Sequence, residues 1–267
     1  MRLYRTEQGW VRQEGTEFIA LDVANQGLEH YLSDLRVFDR AGGERHSELP
    51  STNLPLLDHP GKFIIAGMNY HDHCQEIGVE PPEKLLFGSA PGSAINSANN
   101  PVQIQGEETD YEGEVGVIIA KPTDSVAAQN AWQHIAGITS LNDVSARDVQ
   151  AARTPEAVSQ AKGFPGFKPM GPCFATPDEF SNINALPIKT YVNGELRQDS
   201  NTSKMIFDIA AIVETVSSRL ALQAGDVICT GTPGGVAHGG KYPYLTPGDE
   251  VQIVVADLPP LINTFVS

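Results

Sequence analysis

The stretch that most constrains this chain runs from Asp110 to Asp148. It opens Asp110-Tyr111-Glu112-Gly113-Glu114, and every residue from Val115 to Ala120 is apolar or Gly. A β-rich apolar run bounded by polar residues reads as a strand entering a core. Side chains two apart on a strand share a face, with Cα atoms roughly 6.6–7 Å apart. Glu112 and Glu114 are therefore predicted to project to one side, with Gly113 between them. Two carboxylates that close repel, and burial raises their pKa values. A hard divalent cation resolves the conflict, because Mg²⁺, Mn²⁺ and Ca²⁺ prefer oxygen ligands. Asp143 follows a second apolar run, residues 135–141, and is the natural third ligand. The competing reading of a bare Glu-Gly-Glu is a solvent-facing strand edge with two ordinary acids.

A chain of 267 residues has room for one large domain, or a small one plus a large one. The expected division is a small unit over 1–58 and a catalytic domain over 59–267. With 18 Lys and Arg against 33 Asp and Glu, the formal charge is −15 and no basic stripe is present. That excludes a nucleic-acid partner and disfavours an anionic membrane surface. An acidic chain handling an anionic substrate needs local cations or a metal. Cys74, Cys173 and Cys229 lie far apart and form no C-x-x-C, so neither a disulfide framework nor a zinc site is expected. No apolar run approaches the roughly 18 residues of a membrane span, and the first residues carry no signal-like apolar segment. A reducing cytoplasm is the expected compartment.

Residues 1 to about 50 alternate short candidate strands with turns, followed by a possible short helix over 28–35. Pro50, Pro55 and Pro60 mark a connector. Residues 63–67 read as a buried strand delivering a short helix, capped by Asn69 or Asp72 and stopped by Gly78. On that helix His73 and Glu76 are i,i+3 neighbours. A carboxylate on one ring nitrogen fixes the tautomer and raises the basicity of the other, as a water-activating base requires. A plain surface His–Glu pair is the alternative. Residues 88–100 are small, polar and loop-like. Lys162 lies in Lys162-Gly163-Phe164-Pro165-Gly166-Phe167, which breaks any regular pattern and suits a mobile flap. Lys162 and Lys168 are scarce cations, and either could balance a substrate carboxylate. Asn193-Gly194 predicts a type I′ hairpin. Ser203 is placed to cap a helix whose core stripe is Ile206, Ile209, Val213, Val216 and Leu220. Residues 225–236 read as a strand ending in a glycine-rich loop whose N–H groups suit an anion. The loop lacks the Lys-Ser/Thr of a P-loop, so a carboxylate is expected there rather than a nucleotide.

Taken together, these pieces resemble the fumarylacetoacetate hydrolase family over roughly residues 60–267. The motifs stand in the family's order. Gly67-Met68-Asn69-Tyr70-His71-Asp72-His73 comes first, then Asp110-Tyr111-Glu112-Gly113-Glu114, then Asn142-Asp143-Val144-Ser145-Ala146-Arg147-Asp148. Lys162-Gly163-Phe164, Pro169-Met170-Gly171-Pro172, Val192-Asn193-Gly194-Glu195 and the segment from Gly225 to Pro233 follow. The resemblance implies a mainly β, α+β fold: a mixed β-roll or sandwich catalytic domain with a small N-terminal α/β unit, usually in a homodimer. It implies Mg²⁺ or Mn²⁺, with Ca²⁺ as a crystal substitute, on Glu112, Glu114 and Asp143. It further implies a His73–Glu76 water-activating dyad, a substrate-facing Lys162, and substrate contacts from Tyr70, Arg147, Gly231 and Thr232. The substrate class is a small anionic oxo acid, commonly a 2,4-dioxo acid whose C–C bond is hydrolysed. Oxaloacetate-type decarboxylation, isomerisation or hydration of an unsaturated 2-oxo acid, and an inactive binding or scaffold role are the alternatives. Two departures bear on substrate identity. Pro165 and Gly166 stand where members often have Asp-Thr, and small residues around Ala90 replace a lysine common before the acidic pair.

Overall fold

The computed structural model describes residues 1–40, 42–152 and 154–267. The apolar run after Glu114 forms the strand Gly113–Ile119, buried along its whole length. It pairs antiparallel with Ile135–Asn142, and on its other side with Val227–Cys229. Val227–Cys229 runs parallel to Lys62–Gly67, which pairs with Leu86–Pro91 at one edge of a 12-stranded sheet. Residues 88–91, expected as loop, therefore belong to an edge strand. At the other end Ile135–Asn142 is bridged to Cys173–Ala175, which pairs with Arg2–Thr6. The N-terminal strands Gly9–Glu14, Glu17–Ala20 and Arg45–His46 continue that same sheet. Residues 1–58 thus extend the central sheet, and the connector at 58/59 runs between two of its parts. In place of the short helix expected over 28–35 stand a 3₁₀ turn, Leu28–His30, and the helix Val37–Arg40.

Strand periodicity divides the core. Val115, Val117 and Ile119 share a cluster with Ile188, Val192, Val251 and Ile253 of a separate five-stranded sheet. Ile118 faces the opposite way, into a cluster with Trp10, Phe38, Leu56 and Phe174. Burial on both faces explains why the central strands are nearly continuous in apolar residues.

The hairpin Pro187–Val192 to Glu195–Asn201 turns at Asn193 and Gly194, both with positive φ (51° and 80°), as a type I′ turn requires. The later helix differs from expectation. It spans Ile209–Ser217 and is capped by Asp208, whose carboxylate accepts from Ala211 N, so Ile206 lies before it. An aspartate next to the first helical residue forms the cap bond that Ser203 is too far upstream to make.

Candidate active site

The ladder between Gly113–Ile119 and Ile135–Asn142 builds the acidic part of the site. Gly113 pairs with Asn142 and Glu114 with Leu141, and Asp143 N donates to Glu112 O at 2.9 Å. That register brings Asp143 beside Glu112. Glu112, Glu114 and Asp143 are buried, and each offers a carboxylate oxygen within 4.8 Å of those of the others. Gly113 is required between the glutamates. A Cβ there would stand 2.1 Å from Thr190 Oγ1, because the five-stranded sheet packs directly on it.

Three cations among the described residues face this cluster. Lys162 Nζ donates to Glu112 Oε2 (2.7 Å) and Asp143 Oδ2 (2.6 Å). Arg147 donates through Nη2 to Glu112 Oε1 (2.7 Å) and through Nε to Asp110 Oδ2 (2.9 Å). Lys168 Nζ lies 2.7 Å from Asp143 Oδ1. Burial pushes the Glu112 carboxyl up, but Lys162 and Arg147 outweigh it and hold the group well below the usual carboxylate range. Glu114 goes the other way: burial first, then the charges of Asp143 and Glu112, push it well up. Burial lowers the Lys162 pKa, but Asp143 and Glu112 more than reverse this, so it is held as the ammonium. The expected break in regular structure at Lys162 is corrected. Lys162 ends the helix Pro155–Lys162, which Thr154 caps by accepting from Ala157 N, and its side chain is buried in the site.

The donor set suits a hard divalent cation: three carboxylates converge, and among the described residues Asp143 Oδ1, though 2.7 Å from Lys168 Nζ, accepts no hydrogen bond.

The second part of the site is the helix His71–Glu76. His73 Nδ1 lies 3.4 Å from Glu76 Oε2, and among the described residues Nε2 has no hydrogen-bond partner. Neither expected cap operates. Asn69 instead bonds Phe207 and Thr230, and Asp72 accepts from Ser200 Oγ and Gly234 N. The helix is held from outside by the glycine-rich loop. Gly235 N donates to Glu76 Oε1 (2.9 Å), Gly234 N to Asp72 Oδ1 (3.2 Å) and Gly231 N to Glu114 Oε2 (2.9 Å). Ala237 N and His238 N donate to Asp110. The anion-binding amides predicted from the glycines exist, but they receive four of the chain's own carboxylates. Loop glycines alone give no sign of this, since the partners lie 117 to 162 residues away.

Of the remaining expected contacts, Gly231 is the donor to Glu114 just described. Thr232 Oγ1 donates to Gly113 O and accepts from Gln198 Nε2. The Arg147 guanidinium is engaged by Asp110, Glu112 and Gln150 Oε1. Tyr70 is buried, and among the described residues its hydroxyl has no hydrogen-bond partner. Burial and the nearby Glu114 and Asp72 charges push that hydroxyl's pKa up, so it stays protonated. Asp110, in the acidic motif but given no role from sequence, is buried and accepts from Arg147, Ala237, His238 and its neighbour Tyr111.

Comparison with known proteins identifies the class. The family described as fumarylacetoacetate (FAA) hydrolase C-terminal matches residues 62–266, and the chain belongs to this family of enzymes. The mitochondrial oxaloacetate tautomerase FAHD2A of Homo sapiens is 37% identical over 247 residues, 90% of this chain and 79% of that protein. The fumarylacetoacetate hydrolase of Exiguobacterium antarcticum superposes with a TM-score of 0.88 at 30% identity, covering 100% of this chain and 99% of that one. A 5-carboxymethyl-2-hydroxymuconate delta-isomerase from Mycobacterium smegmatis gives 0.79 at 31% identity, covering 100% and 98%. The fold is the mixed α+β, sheet-dominated one that the motifs implied. No described helix is long and apolar enough to cross a membrane.

Proposed function

We propose that this chain is a divalent-metal-dependent enzyme that moves a proton at the carbon beside the 2-oxo group of a short 2-oxo acid, interconverting keto and enol forms of an oxaloacetate-type substrate. The observation carrying this reading is the His73–Glu76 dyad, with Glu76 held by Gly235 N. Glu112, Glu114 and Asp143 would hold Mg²⁺ or Mn²⁺. When bound there, the cation supplies positive charge for the substrate's carboxylate and 2-oxo oxygen. His73 Nε2 takes the proton from the carbon, and Glu76 keeps the opposite nitrogen in the matching tautomer. Lys162 supplies fixed positive charge where the enolate oxygen develops, and returning the proton to that oxygen gives the enol. The unpartnered Tyr70 hydroxyl is a donor to the substrate, with Gly231 and Thr232 shaping the wall beside it. Arg147 acts on the substrate through Glu112. The relatives named as oxaloacetate tautomerase support this reading.

The second reading is hydrolysis of a C–C bond in a 2,4-dioxo acid of the acylpyruvate type, where His73 takes its proton from water. The full-length likeness to a fumarylacetoacetate hydrolase supports it. Decarboxylation of oxaloacetate needs no such base. Retention of the three acids, the dyad and Lys162 argues against an inactive scaffold. A homodimer is the proposed assembly. The cytoplasm, as a reducing compartment, suits three cysteines that are all free and buried.

The deciding experiment is a panel of oxaloacetate, acylpyruvates and unsaturated 2-oxo acids, assayed with Mg²⁺, Mn²⁺ and a chelator. Keto–enol exchange of oxaloacetate faster than any acylpyruvate cleavage is expected. Acylpyruvate cleavage as the dominant activity would replace the first reading with the second.

A further inference from the structure

Lys168 is fully buried and lies outside both the dyad and the carboxylate cluster. It sits in the strand Lys168–Met170, which neighbours Ile135–Asn142 and so lies close to Asp143. An ammonium has three protons to place, and burial without partners is costly. Lys168 Nζ donates to the backbone carbonyls of Lys162 and Phe167. Its third neighbour is Asp143 Oδ1 at 2.7 Å, an ion pair without hydrogen-bond geometry, because Oδ1 accepts no hydrogen bond among the described residues. The oxygen therefore already has a cation fixed beside it. Asp143 Oδ2 accepts a hydrogen bond from Lys162 on the other side. With Arg147 on Glu112, three fixed cations stand against three cluster carboxylates.

We propose that Lys168 is a resident counter-ion to Asp143 that weakens divalent-cation binding by the carboxylate cluster, keeping the metal exchangeable. It rests on the reading that Glu112, Glu114 and Asp143 hold such a cation. Lys168 is a positioning residue: it touches neither substrate nor reacting atoms, and acts through the charge it places on one ligand. A metal entering the cluster meets a positive charge that cannot leave, because two carbonyls and the packed strand hold it. Two unit charges a few ångströms apart in a protein interior interact strongly enough to shift an equilibrium by at least about tenfold. The site stays assembled before a cation arrives, at the expense of affinity once it does.

The test is Mn²⁺ titration followed by electron paramagnetic resonance of the free ion, a readout independent of turnover. The native chain is compared with Lys168→Met, Lys168→Gln and Asp143→Asn. Lys168→Met removes the charge at similar volume. Lys168→Gln removes it while keeping donors for the two carbonyls, and decides alone if the Met variant does not fold. The expected result is a Mn²⁺ dissociation constant tighter by about tenfold or more in both Lys168 variants, and binding lost in Asp143→Asn. Added Mn²⁺ should also raise the melting temperature more in the Lys168 variants than in the native chain. If the native chain binds Mn²⁺ and folded Lys168 variants bind it equally or more weakly, the counter-ion proposal falls and the metal reading stands. If the native chain and all variants bind no Mn²⁺, both fall.

Discussion

The two parts of the site are built by different means. The carboxylate cluster sits on central strands whose backbone groups pair in a ladder, and one register places Asp143 beside Glu112. The dyad sits on the six-residue helix His71–Glu76, which has no side-chain cap of its own. That helix takes its position from amides of a loop about 160 residues later. One part inherits its geometry from secondary structure, the other from a few long-range hydrogen bonds. Change at the first should abolish function without moving the fold. Change at the second should degrade function gradually.

The largest effect is expected from Glu114→Gln in the ladder-built part. Removing a cluster carboxylate forfeits several kcal/mol of charge stabilisation, about 10³ or more in kcat/KM for the preferred oxo acid. Mn²⁺ binding should weaken in parallel. Turnover within tenfold of native would show that the cluster is not the metal site.

His73→Ala comes next. General-base assistance contributes about 10²–10⁴, so enolisation or acylpyruvate cleavage should fall by that factor while Mn²⁺ binding is retained. Decarboxylation of oxaloacetate should stay within about tenfold, since it needs no base, a barrier difference of ~1.4 kcal/mol. A parallel fall in decarboxylation would assign the dyad another task.

Lys162→Met should lower kcat/KM by about 10², the scale of losing one preorganised donor to a developing oxyanion. Mn²⁺ should bind at least as tightly as before, because a cation beside Asp143 is removed. Weakened Mn²⁺ binding in this variant would mean that Lys162 orders the ligands rather than serving the substrate.

The smallest effect separates the two modes of construction most sharply. Glu76→Gln keeps the acceptor for Gly235 N and loses only the charge behind His73, so a loss of about tenfold is expected. Gly235→Ala attacks the same contact through the backbone. Its φ is +111° and a Cβ would stand 2.0 Å from Arg197 O, so the loop must shift. A melting temperature lowered by several degrees should accompany the lost activity, reflecting ~1–3 kcal/mol of strain. An unchanged melting temperature with full activity would show that the loop does not hold the dyad.

How much of this was legible depended on the range of the interactions. The Glu-Gly-Glu spacing, the apolar run behind it and the second run ending at Asp143 already specify strands and a shared face, because period-two alternation is a local property. The i,i+3 relation of His73 and Glu76 is local in the same sense, and so is the Asn193-Gly194 turn. Caps were less legible, since Asn69 and Asp72 are good cap residues whose side chains are claimed by distant partners.

By itself, then, the sequence determined the central strands, the Glu112–Glu114 pair and the His73–Glu76 pair, each carried by residues a few positions apart, and the order of such short motifs along the chain gave Asp143 and membership of the family. Only the tertiary structure decided that Lys162 ends a helix and reaches a buried pair of carboxylates. It likewise decided that Lys168 stands beside Asp143, and that Asp110 ties Arg147 to the turn after the glycine-rich loop. Those pairings join residues 19 to 128 positions apart. A buried charge takes whichever opposite charge the packed elements bring within reach, and nothing in its local sequence names that partner.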